Sequence, residues 1–143
     1  MVCCPCNQFG GQAPGTSEEE RQSAIQKFGL ELSVIDKILV NGPDAHPLYK
    51  YLKAKQPVSV PNSAGRVPAA MLAEDPGAIE WNYTKFLINR EGVPVKRFKS
   101  AYDPLEFEGD VRLLLAGKDV TPPECAGLHP GRKVCNVDRL LES

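Results

Sequence analysis

The chain has 143 residues, enough for one domain with a single hydrophobic core. Its 42% hydrophobic and 24% charged content is that of an ordinary globular protein. A formal net charge of −1 argues against general affinity for nucleic acid or anionic membrane, and no apolar run reaches the roughly 18 residues of a membrane span.

Met1 is followed directly by Val2 and the cysteines, with neither a basic nor an apolar leader region, so no signal peptide is expected. Cysteines stand at 3, 4 and 6, then at 125 and 135. An odd number so clustered is no disulfide framework, and a reducing, cytoplasmic setting is the default expectation.

In chain order, residues 1–4 are apolar and read as the end of a buried strand. Pro5 to Thr16 is loop, broken by Gly10, Gly11, Pro14 and Gly15. Ser17-x-x-Glu20 reads as a capping box for a helix over 17–28 that buries Ala24, Ile25 and Phe28 and stops at Gly29. Leu30, Leu32 and Val34 alternate, and Ile38 to Val40 precede a turn at Asn41-Gly42, which predicts one or two short strands. Asp44 is a candidate cap for a second helix with Pro47 in its first turn and Leu48, Tyr51, Leu52 and Lys55 at helical spacing. Residues 56–78 read as a surface loop or insertion with one helical turn near Ala69–Ala73. Strands are expected over 79–88 and 93–98, with Gly92 at the left-handed position of their hairpin. Asp103-Pro104-x-Glu106 begins a last helix that buries Phe107, Val111 and Leu114 or Leu115 and ends at Gly117, with Gly109 weakening it by roughly 1 kcal/mol. Residues 118–143 lack a long apolar period and read as a loose tail. The order strand, helix, strand, helix, hairpin, helix is that of an α/β sandwich.

Cys3-Cys4-Pro5-Cys6 fits the C-x-P-C pattern of a dithiol redox site. Such a site needs its first cysteine at a helix N-terminus, where free N–H groups and the dipole stabilise the thiolate. Here the chain continues as loop for about ten residues, so Cys3 and Cys6 remain weak candidates, and two small buried hydrophobes are the plainer reading of Cys3 and Cys4. A zinc site from Cys3, Cys6, Cys125, His129 and Cys135 lacks paired spacing, so no metal is expected. Gly10-Gly11 lacks the Lys-Ser/Thr of a phosphate loop.

The block "PCNQFGGQAPGTSEEE" resembles the "FPCNQFGGQEPG" signature of the glutathione peroxidase family, with Cys4 in place of Phe and Ala13 in place of Glu. "NGPDAHPLYKYLK" (41–53) is similar to the family's next block, and "IEWNYTKFLINREGVPVKRF" (79–98) to its "WNFTKFL" block and following hairpin. "DPLEFEGDVRLLL" resembles the closing helix, usually with Pro where Gly109 stands. The resemblance covers roughly residues 2–116. It implies a thioredoxin-like α/β fold over residues 1–117, with the N-terminal part incomplete, and a separate tail over 118–143.

It also implies a peroxidase that reduces hydrogen peroxide or organic and lipid hydroperoxides with glutathione or thioredoxin as co-substrate, with no bound cofactor. A thiolate or selenolate attacks the O–O bond, and thiols restore the resulting sulfenic or selenenic acid. The family holds that anion with a Gln, a Trp indole N–H and an Asn amide; Trp81 and Asn82 match the last two. The nucleophile and the Gln are expected ahead of Met1, outside the chain, with Cys6 as a signature cysteine only. Ile25 stands where the thioredoxin-using branch has its resolving cysteine.

Plainer readings stay open. Trp81, the only tryptophan, also suits a core, and Asn82-Tyr83-Thr84 is also a glycosylation sequon. Lys85 is either a substrate-facing charge or a solvated strand lysine. Residues 56–78 are a candidate oligomerisation loop or a plain excursion. Cys125 and Cys135 either close a small disulfide loop or stay reduced, and the reduced state is expected. The competing functions are a dithiol-disulfide oxidoreductase using Cys3 and Cys6, and a non-catalytic, degenerate peroxidase module.

Overall fold

The computed structural model describes residues 1–29, 33–60, 67, 69–125 and 135–143. Strand β1 (Val2–Cys3) pairs in parallel with β2 (Ser33–Val34), Val2 opposite Ser33 and Cys3 opposite Val34. The pairing continues beyond the strands, since Ile35 N–H donates to Cys3 O and Ile38 N–H to Pro5 O, both at 3.0 Å. The predicted strand at 38–40 is therefore an extended segment riding on the loop after β1. Leu30 and Leu32 lie outside the described residues.

Helix α1 (Ser17–Phe28) has the predicted bounds but a cap one residue earlier. "TSEEE" carries the box spacing twice, and Thr16 with Glu19 wins: Glu19 N–H donates to Thr16 Oγ1 at 3.2 Å, and Thr16 N–H to the Glu19 carboxylate at 2.7 Å. Ser17 Oγ is thereby free to accept Lys37 N–H at 2.9 Å, tying the helix start to the segment after β2. The predicted burial of Ala24, Ile25 and Phe28 is not observed. No residue of α1 is buried and Phe28 is half exposed, because among the described residues no element covers that face.

Helix α2 (Pro47–Lys55) is capped by His46 Nδ1, which accepts Leu48 N–H at 3.2 Å, rather than by Asp44. Leu52 and Lys53 are its buried residues, whereas Leu48 and Tyr51 stay exposed. The helical turn predicted within 56–78 is α3 (Ala69–Glu74); residues 61–66 and 68 lie outside the described set.

Strands β3 (Lys85–Ile88) and β4 (Pro94–Phe98) form the predicted antiparallel hairpin. Gly92 takes φ 80°, and Asn89 closes the turn by accepting Val93 N–H on its side chain at 2.8 Å. Residues 79–84, predicted as strand, are loop instead: Tyr83 adopts φ 60°, which no strand continues through. After a 3₁₀ turn over Pro104–Phe107, helix α4 (Glu108–Leu115) buries Leu113 and Asp110, while Leu115 is exposed. The register is set by charge: Lys96 Nζ, buried on β4, donates to Asp110 at 2.6 Å and to Thr121 Oγ1 at 2.9 Å.

That network also corrects the loose tail. Thr121 N–H and Oγ1–H donate to the other Asp110 oxygen at 2.8 and 2.7 Å, and Lys118 Nζ reaches Leu140 O at 2.8 Å on α5 (Val137–Glu142). Gly109 proves a packing requirement: a Cβ there would lie 2.6 Å from Val137 Cγ2. Cys125 and Cys135 are joined by a disulfide, Cα atoms 5.5 Å apart, where free thiols were expected. The turn over Pro123–Cys125 and the docking of α5 bring the two ends together.

Two apolar clusters result. One holds Cys6, Phe9, Val40 and Ile79, with Ile38, Tyr49 and Phe86 packed around it. The other stacks Phe98 on Phe107 at 4.3 Å and on Tyr102 at 5.4 Å. Asp110→Ala strands the buried Lys96 charge and should cost about 3–5 kcal/mol. Phe28→Ser should stay within about 0.5 kcal/mol. Urea unfolding monitored by circular dichroism separates the two, and equal losses would contradict these assignments.

Candidate functional site

The first apolar cluster is the floor of the site. It joins the loop after β1, the segment before α2 and the loop that enters β3. From the first of these, Gly10 (φ 65°) and Gly11 (φ 61°) carry the chain across the cluster toward Trp81. A Cβ on Gly10 would lie 3.8 Å from Trp81 Cη2 and 3.7 Å from Gln12 Cγ, so the bare glycine backbone passes beside both side chains. Phe9 packs on the indole at 5.9 Å between ring centroids.

From the third segment, Trp81 is 37% exposed, so it is a rim residue rather than core. Asn82 Nδ2 donates to Gln12 Oε1 at 2.7 Å, across 70 positions of sequence. Thr84 Oγ1 closes the turn by donating to Trp81 O at 3.0 Å. Gln12, Trp81 and Asn82 thus meet at one surface, an indole beside two paired carboxamides.

Gln12 is a residue at this surface that the sequence reading does not single out. A Gln partner was expected outside the chain, yet one stands in the quoted block itself, three residues beyond Phe9. The signal was its position after the two glycines, which give the loop its reach.

The loop bearing Trp81 has an outside anchor. Arg97, 1% exposed on β4, donates to Pro57 O at 3.1 Å, Gly77 O and Ala78 O at 2.8 Å, and the Glu80 carboxylate at 2.9 Å. Burial opposes ionisation of Glu80, but the neighbouring Ser59 hydroxyl and the Arg97 charge outweigh it and hold the carboxyl below its ordinary range.

Lys85 does not face outward as a substrate-binding charge. Its ammonium donates to Ser100 O at 2.8 Å and Tyr102 O at 2.7 Å, and burial lowers its pKa against the opposing pull of Asp103. The thiols lie apart from a helix start, since the chain from Asn7 to Thr16 is loop. Cys6 is buried and donates weakly to Gln8 Oε1 at 3.4 Å. Burial pushes the Cys4 thiol up, although a hydrogen bond with Tyr49 works the other way, and burial together with that thiol pushes Tyr49 up too. Among the described residues no cluster of three or more His, Cys, Asp or Glu side chains forms a metal site. No helix among the described residues is long and apolar enough to cross a membrane.

Glu80 has a folded pKa below its ordinary 4.5, so its contribution to stability is present above that value and lost as pH falls through the folded pKa. Glu80→Gln should therefore flatten the acid limb of a stability–pH profile from urea midpoints. An unchanged limb would contradict the Arg97–Glu80 anchor.

The family model described as Glutathione peroxidase matches residues 1–53. The glutathione peroxidase homolog of Neisseria meningitidis serogroup B is 46% identical over 116 residues, covering 78% of this chain and 66% of the relative. The glutathione peroxidase of Schistosoma mansoni is 40% identical over 118 residues, 82% of this chain and 61% of its own. The hydroperoxy fatty acid reductase of Synechocystis is 43% identical over 112 residues, 78% and 60% respectively. Among solved structures, the T. cruzi GPX1 crystal structure aligns with a TM-score of 0.53 and 34% identity, over 80% of this chain and 58% of that one. The chain thus spans between 60% and 66% of these curated relatives.

Proposed function

The chain belongs to the glutathione peroxidase family, and from that premise we propose that Gln12, Trp81 and Asn82 are the hydrogen-bond-donor part of a site that reduces hydroperoxides at the expense of a thiol. The fold is the thioredoxin-like α/β fold of that family, as the sequence reading expects. The observation that carries the reading is the 2.7 Å contact from Asn82 to Gln12 beside a rim tryptophan. It gathers donors from two distant blocks of sequence onto one surface, where a core role would have hidden the indole.

The chemistry asks for such a set. A chalcogen nucleophile reacts as its anion, and N–H donors favour the ionised form while polarising the peroxide oxygen that will leave. Attack on the O–O bond makes a sulfenic or selenenic acid and releases an alcohol or water; two thiol equivalents then return it to the thiolate and form a disulfide. Trp81 Nε1 can only donate, and each carboxamide brings two N–H donors and one acceptor. With Asn82 Nδ2 spending one proton on Gln12, the second Asn82 proton and the Gln12 amide remain available for the reacting atoms.

The thiols of the described chain serve this scheme poorly. Cys6 is buried, Cys4 is held toward its neutral form, and Cys3 is half-buried on β1, away from any helix N-terminus. The reading therefore puts the nucleophile outside residues 1–143, on the strand-to-helix turn that precedes the "PCNQF" block in the family. The same observations weigh against a dithiol oxidoreductase, which requires a thiolate at a helix N-terminus.

With the nucleophile-bearing segment present, Gln12→Ala, Trp81→Phe and Asn82→Ala should each lower kcat/KM for an organic hydroperoxide by about 10–100-fold, as loss of one anion-stabilising donor does. Residues 1–143 alone should show no turnover with glutathione. Turnover by that chain, abolished by both Trp81→Phe and Cys3→Ser, would place the nucleophile among its own thiols and contradict the proposal.

A further inference from the structure

The two loops that bring Gln12 and Trp81–Asn82 together share no sheet or helix, so something must hold them in register. Two further carboxamides stand between them. Gln8, four residues before Gln12, accepts Val40 N–H at 2.8 Å and Asn41 N–H at 3.0 Å on Oε1, and its Nε2 donates to Asn41 O at 3.0 Å. Asn41 is 6% exposed, and its side chain grips the main chain of Ile79 at both ends: Ile79 N–H donates to Oδ1 at 2.7 Å, and Nδ2 donates to Ile79 O at 2.9 Å. Ile79 is two residues before Trp81.

We propose that Asn41 is a positioning residue for the donor set, relaying the register of the Gln8–Gln12 loop to Trp81 and Asn82 through the Ile79 main chain. The inference rests on reading Gln12, Trp81 and Asn82 as one site. Its physical content is specific, because only a group with one donor and one acceptor matches a peptide N–H and C=O side by side. The pairing is buried, so a mismatch there has no water to repair it. Hydrophobic neighbours cannot replace it either: Cys6, Phe9 and Val40 pack with Ile79 without fixing where it sits along the chain.

Aspartate discriminates this role from simple space filling. As a carboxylate, Asp at position 41 opposes an oxygen to Ile79 O; protonated, it regains one donor and one acceptor. The charged groups nearby are Asp75, which accepts Gly42 N–H at 3.2 Å, Lys53, which pairs with Asp75, and on the gripped loop itself Glu80, which pairs with Arg97. Wild type and Asn41→Leu, titrated alongside, account for their response to acid.

Trp81 is the only tryptophan, so its fluorescence reads the donor loop directly and without turnover. At neutral pH, Asn41→Asp and Asn41→Leu should both show a red-shifted emission and stronger acrylamide quenching. Acidification toward the ordinary carboxylate range of about 4 should restore Asn41→Asp and leave Asn41→Leu shifted. Thr121→Ala, which weakens the remote α4 network, should leave the emission unchanged. Folded Asn41→Asp and Asn41→Leu proteins with wild-type emission and quenching, or an Asn41→Asp shift that acid does not reverse, would overturn the relay. A peroxidase reading that fails while these shifts appear leaves the relay standing, and the converse result separates the two in the other direction.

Discussion

Residues 77–82 form neither helix nor strand, yet most of this stretch lies against the core. Every inward peptide group must therefore find a partner from elsewhere in the chain. Two side chains supply them from opposite sides. Arg97 on β4 takes the carbonyls of Gly77 and Ala78 and the carboxylate of Glu80, and the Asn41 carboxamide takes both polar groups of Ile79. The next residues, Trp81 and Asn82, emerge at the surface from this doubly held segment. A loop fixed in this way can present donors with the precision usually obtained from a regular element.

The same logic explains why the site needs glycines where it has them. Gly10 and Gly11 both adopt left-handed backbone, and the first runs beside the indole. Gln12 is thereby delivered to Asn82 with a short chain path from the buried Phe9. Sequon chemistry and site chemistry also compete for one atom here. Asn82 Nδ2, the nitrogen a glycan would take, is the atom engaged by Gln12.

Much of the fold was legible in local chemistry. Helix α1, the Gly92 hairpin and the turn within 56–78 follow from caps, breakers and apolar spacing, which act over a few residues. The failures share a different cause. The cap of α1 moved by one residue because "TSEEE" offers two boxes and a distant partner, Lys37 N–H, claims Ser17. Asp110 rather than an aliphatic residue joins Leu113 on the inner face of α4, since Lys96 pulls it inward, and no periodicity records an ion pair. The tail docks through Thr121 on Asp110, which no periodicity records, and the Cys125–Cys135 disulfide closes within the tail, the alternative to the reduced state that was expected. Trp81 and Asn82 are candidates through the resemblance, whereas Gln12 is brought beside Asn82 only by the fold. Lys85 looked outward because a strand position does not reveal that two carbonyls lie within reach of its ammonium.

The central claim is the apposition of Gln12, Trp81 and Asn82 on one surface. Assignment of the side-chain amide protons of Asn82 by NMR tests it most directly. Nuclear Overhauser contacts are expected from those protons to the Gln12 side chain, together with contacts from the indole of Trp81 to Phe9 and Gly10. A well-folded protein whose Asn82 amide shows no proximity to Gln12, with the indole remote from Gly10, would contradict it.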